Sequence, residues 1–172
     1  MNKLVNRGFT LVETIVAMLI ISIAALAMAS ALGFAFSRSS DGLLEARVVY
    51  IAQAYLEEIQ ARRYDEATPS GGTPPCQTLA PCSALGPDLE SRENYDDIDD
   101  YNGLLDAPPR DALNQVMSDF SGFSVAVAVD YADAAQIAAW GLDDATDAKI
   151  VSVTVTTPDG RSRPFIMIRG NY

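Results

Sequence analysis

The chain has 172 residues and a mass of 18.4 kDa, room for one domain with an appendage. It carries 12 Lys and Arg against 23 Asp and Glu, a formal charge of −11, which argues against nucleic-acid binding because little here can displace counterions from phosphates. There is no histidine, so the commonest general base and the commonest metal ligand are missing together. Although 49% of the residues are apolar, mean hydropathy is only +0.09. The apolar residues are therefore concentrated, and they lie at the front.

From Thr14 to Ser37 there are 24 consecutive residues without a charge. As a helix this run spans about 36 Å, enough to cross a hydrocarbon core of about 30 Å. Lys3 and Arg7 precede it, while Arg38 and Asp41 follow, so the basic end is expected in the cytoplasm and the rest of the chain outside. A cleaved secretory signal has an apolar core of only about 7–15 residues followed by a small-residue site. Here the core is longer, and past Ala29 and Ala31 it runs on into Leu32, Gly33 and Phe34. A single membrane span is the expectation.

Glu13 stands at the cytoplasmic end of that span, where a carboxylate is costly if drawn inward. Just before it comes Gly8-Phe9-Thr10-Leu11-Val12-Glu13, after a short basic leader and ahead of the long apolar helix. In residue types, order and spacing this run resembles the processing signal of type IV prepilins and type II secretion pseudopilins. The resemblance implies cleavage after Gly8 by a prepilin peptidase and N-methylation of the new amino terminus, Phe9. It also gives Glu13 the role of registering one subunit against the next. Apical minor pseudopilins often lack this glutamate, so its presence implies a subunit that fits within the shaft.

The physics of Glu13 stands beside the resemblance. After cleavage the helix carries a terminal cation at Phe9 and an anion four residues on. An unpaired carboxylate buried in a bundle of such helices costs several kcal/mol, whereas one paired across subunits is tolerated. The plainer alternative is a glutamate that snorkels at the interface of a simple anchor.

No proline occurs before Pro69, so the helix is expected to continue beyond the membrane, from about Phe9 to Arg63. Leu44, Val48, Ile51, Ala52, Tyr55, Leu56 and Ile59 follow helical spacing and predict a buried stripe. Glu45, Arg47, Gln53, Glu57, Glu58, Gln60 and Arg62 form the polar face. Gly42 is a local weak point where the span leaves the bilayer.

After Tyr64 the run Thr68-Pro69-Ser70-Gly71-Gly72-Thr73-Pro74-Pro75 predicts a loop. Cys76 and Cys82, the only cysteines, fall outside the membrane in an oxidising compartment, so a structural disulfide is expected. A redox pair or a metal site is disfavoured, because C-x-x-C spacing and histidine are both absent. Between Asp88 and Asp111 lie nine acidic residues against Arg92 and Arg110. Asp96, Asp97, Asp99, Asp100 and Asn102, ahead of Gly103, are candidate Ca²⁺ ligands, since closely spaced carboxylates on a turn suit a hard cation. The EF-hand pattern fails there. Related major pseudopilins hold calcium in a C-terminal loop, but that correspondence does not transfer residue by residue. The competing reading is a solvated acidic loop, or aspartates that cap local turns. No other cofactor is implied.

Phe123, Val125, Val127, Val129 and Tyr131 alternate with polar or small residues and predict a half-buried strand; Lys149 to Thr157 repeats the pattern. Thr157-Pro158-Asp159-Gly160 predicts a turn, and Arg163 to Arg169 the returning strand. The segment Ala132–Ala148 reads as a short helix or a surface excursion, and the sequence does not decide. The fold class expected is α+β, a long N-terminal helix with a transmembrane half and an amphipathic half packed on a small antiparallel sheet. The boundaries are a leader over 1–8, a transmembrane and assembly helix over 9–37, its amphipathic outer part over 38–64 and a globular head over 65–172. No nucleotide-binding loop, nucleophile elbow or dinucleotide fingerprint occurs, so no enzyme is expected.

The order of later motifs sharpens the resemblance. The run Ile51–Ile59 leads to Arg62-Arg63-Tyr64-Asp65-Glu66; a two-cysteine loop, Tyr95–Tyr101 and Pro108-Pro109-Arg110-Asp111 follow. Together they resemble the minor pilins of the mannose-sensitive haemagglutinin (MSHA) pilus, a surface-attachment system. What this implies is a low-abundance subunit, held in the inner membrane before assembly with its head in the periplasm and then extracted into an extracellular filament. Its partners would be a major pilin, other minor pilins, the prepilin peptidase and an inner-membrane assembly platform. PilV-type minor pilins and type II secretion minor pseudopilins share the leader and plan. From another class, a membrane-anchored surface-binding protein would use the acidic run and the Trp140 region.

Overall fold

A computed structural model describes residues 10–69, 72–78 and 80–172, with side chains left out over 34–40. Its compact units are Met1–Leu43 and Leu44–Tyr172. Helix α1 runs unbroken over Leu11–Gln60, three residues short of the expected end. In the first unit, Leu11–Gly33 is long and apolar enough to cross a membrane, and all its side chains are exposed. The hydroxyls within it are satisfied locally, Ser22 donating to the Met18 carbonyl at 2.7 Å and Ser30 to the Ala27 carbonyl at 2.9 Å. That is what a helix in lipid requires, because no water is there to accept the bond.

The second unit is an α+β head. Strands β1 (Leu105–Asp106), β2 (Ser124–Tyr131), β3 (Ala148–Thr156) and β4 (Ser162–Gly170) form one antiparallel sheet in sequential order. The three longer strands fall where the alternation places them, and β1 adds a two-residue edge that sequence reading did not foresee. On α1 the predicted stripe is buried as expected: Val48, Ile51, Ala52, Tyr55 and Ile59 are inside, with Leu44 and Leu56 half-buried. They meet Phe123, just ahead of β2, with Val125, Val127 and Val129 of β2 and Val151, Val153 and Val155 of β3. Each such side chain stabilises the fold by about 1.5–3 kcal/mol when fully buried.

The β3–β4 turn closes as its residues dictate. Thr157 N–H donates to the Arg161 carbonyl at 2.9 Å, and Gly160 takes φ +84°, which a side chain would resist. Ala132–Ala148, left open by the sequence, contains helix α2 (Ala134–Trp140) and a 3-10 turn over Ala145–Asp147. Asp133 caps α2 by accepting from Ala135 and Gln136 N–H, while Gly141 ends it in the left-handed region. Trp140, on the last turn, is 42% exposed.

Candidate functional site

At its start α1 is set by Thr10 and Glu13. Glu13 N–H donates to Thr10 Oγ1 at 3.3 Å, which makes Thr10 the N-cap and places Glu13 at the third helical position. Thr10 and Glu13 thus have the spacing of a capping box. Among the described residues the Glu13 carboxylate has no ion pair or hydrogen bond, so its charge is available to a group from elsewhere. Gly8 and Phe9, the expected cleavage and methylation residues, lie outside the described residues.

Cys76 and Cys82 are joined in a disulfide with their Cα atoms 5.0 Å apart, as expected. Asn171 Nδ2, just beyond β4, donates to the Cys76 carbonyl at 3.3 Å and to the Thr146 carbonyl at 3.2 Å. The bridge therefore fastens the loop beside the end of the sheet.

The centre of the acidic run is folded into the head, while Asp88, Glu93 and Asp96 stay exposed. Asp97, Asp99, Asp100 and Asp106 are buried. Asp97 Oδ1 accepts from the Asp99 and Asp100 amides at 3.0 and 3.2 Å, and Asp100 Oδ2 from the Asp96 and Asp97 amides at 2.9 and 3.1 Å. Asn102 Oδ1 accepts from Val129 N–H at 3.1 Å, tying the turn to β2. Asp96 pairs with Arg63. Of the five candidate calcium ligands, Asp99 and Asn102 are thus engaged elsewhere, Asp99 with Lys149 and Asn102 with β2. Carboxylate oxygens do approach one another in Glu66–Asp96–Asp97 and in Glu90–Asp96–Asp100, and Asp99 belongs to neither group.

Asp99 turns instead to Lys149, and this was missed in the sequence. Lys149 is wholly buried on β3. Its ammonium donates to the Tyr64 carbonyl at 2.6 Å, to Asp65 Oδ2 at 3.2 Å and to Asp99 Oδ1, so all three N–H groups are used. The Tyr64 and Tyr131 rings lie 4.6 and 5.6 Å from Nζ. Asp65 accepts in addition from Ala67 and Ser83 amides. Desolvation pushes the Asp99 carboxyl up against the opposing pull of Lys149. Asp97 goes further, to about 8, because it is buried and stands beside the Asp99 charge. A signal was available: Lys149 shares the parity of Val151, Val153 and Val155, the buried face.

A second internal network holds α1 to the same run. Tyr55 Oη donates to Asp106 Oδ2 at 2.6 Å and accepts from Arg110 N–H at 2.8 Å; Tyr101 Oη donates to Glu58 Oε1 at 2.8 Å. Arg92 lies between the Tyr55 and Tyr101 rings and reaches Glu58 and Asp106 at 3.4 and 3.5 Å. These groups position the head on its helix.

Residues 4–29 match the family described as the prokaryotic N-terminal methylation motif. No curated protein and no solved structure matches the chain. With a single apolar N-terminal helix and an α+β head behind it, the motif supports a type IV pilin-like protein and implies processing by a prepilin peptidase.

Proposed function

We propose that the chain is a minor pilin of an MSHA-type type IV pilus, of the MshD kind, anchored in the inner membrane before assembly and then built into a surface-attachment filament. The single observation that supports a pilin role is the methylation motif over residues 4–29, followed through an apolar helix that is wholly exposed over Leu11–Gly33 in the first unit, while the MSHA assignment rests on the order of the later sequence motifs. Such a surface calls for lipid before assembly and for other pilin helices afterwards. Peptidase cleavage after Gly8 and methylation of Phe9 leave a cation near Glu13, whose carboxylate, without a partner among the described residues, then pairs with a neighbouring subunit's terminal amine. Major and minor pilins and the inner-membrane platform are the partners this role requires.

Glu13→Ala tests the assembly role separately from processing. The variant keeps Thr10 as cap and Gly8 as cleavage residue, so leader removal in the membrane fraction is expected to be unchanged. Its recovery in sheared filaments should fall severalfold relative to the unaltered chain. Equal recovery of both chains contradicts a registration role for Glu13.

A further inference from the structure

Along β4 the core-facing side chains are Phe165, Met167 and then Arg169, so a guanidinium takes the next inward place in an apolar alternation. Arg169 is also the direct cross-strand partner of Lys149. Like charges in opposed positions destabilise a sheet. Lys149 is neutralised by Asp65 and Asp99, but Arg169 is not: among the described residues its guanidinium has no ion pair, and Nε is buried without a hydrogen-bond partner. A buried donor left unmade costs about 1–3 kcal/mol.

Arg169 lines a cavity of about 260 Å³ together with Gln60, Arg62, Arg63 and Tyr172. Arg63 is committed to Asp96 and Glu66. Arg62 gives Nε to Tyr101 Oη at 3.3 Å and has no carboxylate partner among the described residues. In a chain with 23 acidic residues to 12 basic ones, two arginines without a carboxylate on one cavity are the anomaly. The carbonyl end of α1 accounts for cations following Gln60, but not for an arginine delivered by a strand. Guanidinium forks match the paired oxygens of carboxylates and phosphates. We propose that this cavity, lined by Arg62 and Arg169, is an oxyanion-binding site that takes the carboxylate or phosphate group of a ligand.

The test is titration calorimetry on the full chain in detergent micelles, with inorganic phosphate and malonate as separate probes at constant ionic strength. Saturable binding of at least one probe is expected, weakened by about tenfold or more in Arg169→Gln, as loss of a charge-assisted contact implies. Arg62→Gln provides a second variant in the lining, with the same expected loss. Binding of phosphate alone identifies a phosphoryl ligand, and binding of malonate alone a carboxylate. Without probe, Arg169→Gln should melt no lower than the unaltered chain, since it sheds an unpaired charge. Absence of saturable heat with both probes, or unchanged affinity in either folded variant, overturns the site.

Discussion

Asp97 is where a single side chain couples the head to pH. Its carboxyl is raised to about 8 by burial and by Asp99, while in the unfolded chain it titrates near the ordinary value of about 3.9. Below that lower value both states are protonated, and the full stabilisation is present. Between the two values the folded chain holds a proton that the unfolded chain has released, so stability falls as pH rises. The absence of histidine makes this window quiet, because no side chain of ordinary pKa titrates between about pH 5 and 8. Melting temperature is therefore expected to drop from pH 5 to pH 8.5. Asp97→Asn, which keeps an oxygen for the Asp99 and Asp100 amides, should flatten that drop. Equal slopes for the two proteins would show that the proton resides elsewhere.

The elements of the head are joined by one buried cation. Lys149 on β3 reaches back to Tyr64 and Asp65 just past α1 and across to Asp99 in the acidic turn. Replacing it with Met preserves the length of the side chain and leaves two buried carboxylates without their counter-ion. A loss of about 3–5 kcal/mol is expected, read as a lower denaturant midpoint with an unchanged slope. A loss below about 1 kcal/mol, the range of exposed pairs, would contradict the network as a structural tie. Periodicity made α1 and the three long strands legible in the sequence, because a stripe of period 3.6 and an alternation of period two each have one way to bury their apolar face. The Cys76–Cys82 bridge was legible from compartment. Long-range polar contacts were not: Lys149 meets Asp65 across 84 residues and Asp99 across 50, separations that only the assembled sheet brings together. Within the acidic run the local caps, Asp97 and Asp100 on neighbouring amides, were among the readings the sequence offered, whereas the pairing of Asp99 with Lys149 was not.

Across the whole molecule, a highly acidic head and an apolar helix with one carboxylate divide the work. The core of the head and its disulfide lie within Leu44–Tyr172. The helix over Leu11–Gly33 buries nothing of itself, and its one ionisable side chain, Glu13, is unpartnered among the described residues. A subunit that passes from lipid into a filament needs this asymmetry, with an apolar helix completed only by its neighbours. The most direct measurement is the intact mass and amino-terminal sequence of the protein recovered from sheared cell-surface filaments. A chain that begins at methylated Phe9, two hydrogens light for the Cys76–Cys82 bridge and copurifying with a major pilin, is the predicted result. A chain absent from filaments and retained in the membrane with Met1 to Gly8 still attached would contradict a processed pilus subunit and leave a plain anchored domain.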